Sequence, residues 1–141
     1  MNPKIELLLA LAKTPAGILA ARVKAKEHEL EFPHNGCAAF LSSLLDDAGI
    51  DTGVILSAGV LAEALVGRGW ERVLVGKQEP GDIGVTQDWN KNGVPDHIFL
   101  VVARLNADAM LIADNQAPAL HERYASGKGK TPVEYFLRSP E

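Results

Sequence analysis

One cysteine, Cys37, stands in the 141 residues. No disulfide can close within the chain, and no multi-cysteine zinc framework can form. Positive charge is also sparse: 14 Lys and Arg against 18 Asp and Glu give a formal net charge of −4. No arginine-rich cluster or basic helix face appears, so nucleic acid is not an expected partner. No run of about 18 unbroken apolar residues exists, so no membrane span is expected. The nearest approach, LLLALA at 7–12, is only six residues long, has Glu6 beside it and leads into a lysine-bearing helical pattern. It reads as a mature helix rather than a leader. Repeats and low-complexity linkers are missing too. What remains, 47% apolar and 23% charged residues, is the composition of one ordinary globular domain over 1–141.

Leu7, Leu8, Leu11, Ile18, Leu19 and Val23 recur at three- and four-residue spacings, with lysines and arginine between them. This predicts a helix over much of 3–27, broken near Pro15-Ala16-Gly17. After the turn-rich EFPHNG, apolar positions between Cys37 and Ala48 mark a second helix, with Gly49 at its C-terminal end. A third is expected near Ala58–Val66. Beyond Trp70 the pattern changes to short β-branched runs: Val73–Val75, Ile83–Val85, Ile98–Ala103 and Met110–Ile112. Each is bounded by turn residues and reads as a strand. Asn106-Ala107-Asp108 suits a hairpin between the last two. Helices first and an antiparallel sheet afterwards give an α+β domain.

Cys37 opens the second predicted helix, where the positive end of the helix dipole and free backbone N–H groups favour thiolate over thiol. A lone cysteine beside Ala and Phe is otherwise a small buried hydrophobe. A nucleophilic thiolate needs a base. Among the four histidines, His28 lies in a charged helical segment, His34 in the turn before Cys37 and His121 in a polar stretch near the C-terminus. His97 begins the most hydrophobic predicted strand, so its ring is rigidly placed and partly desolvated, as suits a general base. The hairpin folds the end of the Met110–Ile112 strand back beside His97. Asp114 is therefore a candidate to orient the imidazole, with Asn115 and Gln116 as alternatives that strand parity does not separate.

The order NGCAAFLSSLLDDAGI, RGWERV, EPGDIGV, DHIFLVV, IADNQ resembles the papain-like cell-wall cysteine hydrolases of the NlpC and CHAP groups (cysteine- and histidine-dependent amidohydrolase/peptidase). The resemblance runs from about Asn35 to Gln116 and leaves the helical segment 1–34 uncovered. It implies a papain-like core in which helices, one opening with the cysteine, pack on a small antiparallel sheet. Carried over, Cys37 would be the nucleophile, His97 the base and Asp114 the orienting residue. The reaction would be cleavage of an amide in the peptide part of bacterial peptidoglycan through a thioester acyl-enzyme, with no cofactor needed for the chemistry. The backbone N–H of Cys37, aided by Asn35, would donate to the oxyanion. Gly36 departs from the pattern, since many relatives carry Asp, Asn or Gln there. A bacterial or phage origin, action on the wall after release or delivery, and an inhibitor or immunity protein as partner are compatible expectations. From a different class comes a non-catalytic module that holds a peptide or glycan on the same fold.

Asp88-Trp89-Asn90-Lys91-Asn92-Gly93-Val94-Pro95-Asp96 sets oxygen-bearing side chains at loop positions one, three, five and nine, with Gly at six. This spacing makes Asp88, Asn90, Asn92 and Asp96 candidate calcium ligands. The competing reading is a polar loop held by Asx-turns. Trp70, after Gly69, is expected in the core. Trp89, inside the polar loop, is expected to be exposed and able to line a substrate groove.

Overall fold

The computed structural model describes residues 2–140. Four helices, α1 (Pro3–Ala12), α2 (Pro15–His28), α3 (Cys37–Asp47) and α4 (Ala58–Gly67), precede six strands. These are β1 (Glu71–Val73), β2 (Ile83–Thr86), β3 (Ile98–Arg104), β4 (Ala109–Ala113), β5 (His121–Tyr124) and β6 (Val133–Arg138). They form one sheet in the order β1-β6-β2-β3-β4-β5, and every pairing is antiparallel. The architecture is α+β, as the segregation of the two patterns predicts.

Local chemistry sets the helix starts. Asn2 and Thr14 accept N–H bonds from Lys4 and Gly17, and Pro3 and Pro15 occupy first-turn positions that need no donor. The expected first helix is thus two, split at Pro15. Helix α3 has no side-chain cap and starts from Gly36. It is the hydrophobic centre: every residue from Ala38 to Leu45 is buried, and it packs against α1, α2, α4 and β3. A helix apolar all round belongs inside a core. Its two serines are satisfied internally, Ser42 Oγ donating to Ala38 O at 2.7 Å and Ser43 Oγ to Ala39 O at 2.6 Å.

The sheet buries both faces. Ile98, Leu100 and Val102 join the helices, and Phe99, Val101, Met110, Ile112 and Phe136 form a second cluster, as period-two alternation requires. Gly84 pairs with Phe99 across β2 and β3. A Cβ there would meet the Phe99 ring at 2.2 Å, so only glycine leaves room for that ring. Asn106 closes the β3–β4 hairpin by accepting from Asp108 N and Ala109 N.

Two corrections concern the strands. Val73–Val75 is not a strand throughout: β1 ends at Val73, and Leu74 is 78% exposed. β1 is an edge strand bonded only to β6, and the chain turns away before Gly76, whose φ of 98° is left-handed. The sequence pattern also omits β5 and β6. HERY and VEYFLR mix charged and apolar residues, so neither shows a continuous β-branched run. Trp70 is buried and Trp89 is exposed, as expected.

Candidate active site

Cys37 sits at the first position of α3, the helix held most firmly by the core. His97 lies immediately before β3 and anchors by its own backbone, His97 N donating to Thr86 Oγ1 at 2.9 Å. Because α3 packs on β3, the two side chains come to one cleft wall, where the His97 ring favours the thiolate form of Cys37. The ring's Nε2 lies 2.8 Å from Asp114 Oδ2, which leaves Nδ1 free of the carboxylate. Asp114 follows β4, and the β3–β4 pairing brings it back to His97.

The Asp114 carboxylate is fully buried, and three groups bond it. Besides His97, Oδ1 accepts from Gln116 N at 2.9 Å and lies 2.7 Å from His121 Nε2. His121 starts β5, and its register opposite Ile112 places it beside the end of β4. Sequence reading passed over His121 because β5 was not visible there. A strand starting at that histidine and pairing with Met110–Ile112 would have exposed the relation.

Electrostatics follow from this packing. Burial pushes the Cys37 thiol up, but the His97 hydrogen bond and charge, with backbone N–H groups of Ile98 and Ala38, outweigh it and hold the thiol below its ordinary value. Burial pushes the His97 ring down, yet Asp114 and Cys37 together raise it. Burial likewise raises the Asp114 carboxyl, and hydrogen bonds and charge from His97 and then His121 bring it down to about 2. All three directions favour a thiolate–imidazolium pair backed by a carboxylate. Behind His97, Phe99 stacks on its ring at 5.9 Å, and buried Arg123 lies 5.0 Å from the centre of Phe99.

Cys37 and His97 open onto a cleft of about 460 Å³ shared with Arg22, Pro33, His34, Asn35, Gly36, Asp96, Asn115 and Gln116. The glycine before the cysteine has a steric cause: a Cβ at Gly36 would come within 2.4 Å of the Phe32 ring. No side chain can therefore serve as an oxyanion donor from that position. Asn35 is on the cleft wall, in a left-handed conformation with φ 54°, and its amide donates to Glu31 Oε1 at 3.3 Å. Asn115 donates to Pro33 O at 2.7 Å and pins the segment leading to Cys37. Gln116 accepts from Lys130 Nζ at 3.5 Å. Trp89 is not on the cleft wall; its indole donates to Gln87 at 3.0 Å.

The Asp88–Asp96 loop is held by its own backbone. Asp88 accepts from Asn92 N and Gly93 N, Asn90 from Asn92 N, and Asn92 from Val94 N. Asp96 Oδ2 accepts from Thr131 Oγ1 at 2.7 Å and Trp89 N at 3.4 Å, while its Oδ1 is buried without a partner. The candidate ligand oxygens thus serve as Asx-turn acceptors. Among the described residues no group of three or more His, Cys, Asp or Glu is arranged to hold a metal ion. Nor is any helix there long and apolar enough to cross a membrane.

No family model matches the chain, and no curated protein matches it. Among solved structures, a Staphylococcus aureus protein described as similar to lipoprotein, NLP/P60 family, has the same fold at a TM-score of 0.50 and 12% identity. The match covers 88% of this chain and 41% of that one. The chain therefore spans less than half of that protein's length. At such identity the likeness speaks for the fold and assigns no residue.

Proposed function

We propose that the protein is a thiol amidohydrolase or endopeptidase that cuts an amide bond in the peptide part of bacterial peptidoglycan. The observation that carries this reading is the cleft that Cys37 and His97 share, with the buried Asp114 carboxylate hydrogen-bonded to His97 behind it. The fold shared with an NLP/P60 protein is compatible with it.

In the proposed reaction His97 takes the Cys37 proton, and the thiolate attacks the amide carbonyl carbon. The oxyanion forms beside the start of α3, where backbone N–H groups and the helix dipole favour negative charge. The imidazolium then protonates the departing amine, leaving a thioester on Cys37. Water, deprotonated by His97, attacks that thioester and releases the acid and the free thiol. Asp114 keeps the ring oriented and stabilises its cation. His121 and Gln116 N hold Oδ1, so that Oδ2 stays aimed at His97. The Asp88–Asp96 loop is proposed as a calcium site on its ligand spacing alone, outside this chemistry.

The test is digestion of purified peptidoglycan by wild type and Cys37→Ala, with products read by mass spectrometry. New amine and carboxyl ends made only by the wild type are expected. No products from several wall chemotypes would overturn the hydrolase reading and favour a peptide- or glycan-binding module on this fold.

A further inference from the structure

Arg22 is the one lysine or arginine on the cleft wall, and it comes from α2, outside the segment that carries the cysteine, histidine and aspartate. It is half-buried, yet no carboxylate lies within salt-bridge distance of it among the described residues. Its guanidinium is held from two sides. Nη1 donates to Asn115 O at 3.1 Å, and the plane sits 5.1 Å from the centre of the Phe32 ring. These contacts fix the group while using one of its five N–H donors. The acid on the same wall, Asp96, forms no ion pair with it: its Oδ2 accepts from Thr131 Oγ1 and Trp89 N, and its Oδ1 is buried without a partner. A fixed, uncompensated guanidinium presents a fork that matches a carboxylate, and such a pair is stronger where water is partly excluded.

We propose that Arg22 is a carboxylate anchor, so that the ligand of this cleft is a peptide bearing a free carboxylate close to the amide presented to Cys37. Arg22 and Cys37 line the same cleft, which places that carboxylate in the neighbourhood of the amide. The assignment rests on the thiol-hydrolase reading for the identity of that amide, but the anchor can be tested without turnover.

The probes are iodoacetate and iodoacetamide, nearly alike in shape and differing in the carboxylate. Alkylation of Cys37 by each is measured in wild type, Arg22→Gln, Arg22→Lys and His97→Ala, and each rate is divided by that of free cysteine. Gln keeps a donor for Asn115 O and loses the charge; Lys keeps the charge and loses the fork. The wild type is expected to favour iodoacetate, saturably, and Arg22→Gln to lose about tenfold of that preference, with Arg22→Lys between them. An iodoacetate-to-iodoacetamide ratio equal in wild type and Arg22→Gln overturns the anchor. Failure of the hydrolase reading has a different signature: the alkylation pH profile of His97→Ala would then match wild type, whatever the ratio between reagents.

Discussion

Asp114 and Asp88 are both aspartates whose two oxygens accept N–H groups, but they draw their donors from different places. Asp114 takes His97 from beside β3, His121 from β5 and Gln116 N from its own turn. Asp88 takes Asn92 N and Gly93 N, four and five residues along the same loop. The first carboxylate is fully buried, with its charge held by two imidazoles; the second is only half-buried and held by backbone. A buried charge whose partners come from separate elements depends on the whole fold, and the whole fold depends on it. One at the surface of a loop depends on its neighbours and is partly screened by water. Perturbation should therefore be severe around Asp114 and slight around Asp88.

The largest effects belong to the sulfur and its base. Cys37→Ala is expected to abolish peptidoglycan hydrolysis while leaving the melting temperature within a few degrees, since the change removes one half-exposed atom. His97→Ala leaves burial as the main influence on the thiol. The sign follows: the pH at which Cys37 alkylation is half-maximal should move upward from its lowered position, past the ordinary thiol value. An unmoved profile would break the link between the two side chains.

Asp114 and His121 come next. Asp114→Ala leaves His97 Nε2 and Gln116 N without their acceptor in a dry environment, and turnover is expected to fall about 10²–10³-fold. His121→Ala removes only the group that fixes Oδ1, with a loss of about tenfold. His121→Gln, which keeps an N–H donor, should recover most of it, and equal rates in the Ala and Gln variants would show that His121 is not positioning the carboxylate. Stability offers a second readout. Asp114 has a lowered carboxyl pKa, so its contribution is fully present above the ordinary carboxylate value of 3.8 and is lost as pH falls toward about 2. The difference corresponds to about 2 kcal/mol, which denaturant melts between pH 5 and 2 would resolve as a steeper decline in wild type than in Asp114→Asn.

The same contrast explains what could be read from the sequence. The Cys37 helix start, the β3–β4 hairpin and the nearness of Asp114 to His97 are local or nearly local consequences of periodicity and turn chemistry. They were legible. His121 was not, because it reaches Asp114 only through the β4–β5 pairing, and β5 reads as four polar or aromatic residues. β6 was hidden for a related reason. It lies between β1 and β2, and Glu134 and Tyr135 interrupt its apolar face. Arg22 gave no signal either, since a cation between apolar positions of a helix looks like solvated surface until the fold turns it toward the cleft. The steric demand at Gly36 likewise needs the position of Phe32, which only the tertiary structure supplies.

The smallest effects belong to the Asp88–Asp96 loop. Asp88→Ala removes two exposed hydrogen bonds to backbone N–H groups, and the expected loss of stability is below about 1 kcal/mol. Cys37 alkylation should be unchanged, because Asp96 turns toward Thr131 and Trp89 N while His97 turns toward Cys37 and Asp114. Calcium sharpens the test. If the loop oxygens exchange their backbone donors for the ion, the melting temperature of wild type rises across millimolar calcium by mass action, and Asp88→Ala cancels the rise. A melting curve that is the same in calcium and in chelator would leave the loop as a set of Asx-turns. A calcium-dependent change in alkylation rate would break the comparison itself, by coupling the loop aspartates to the buried one.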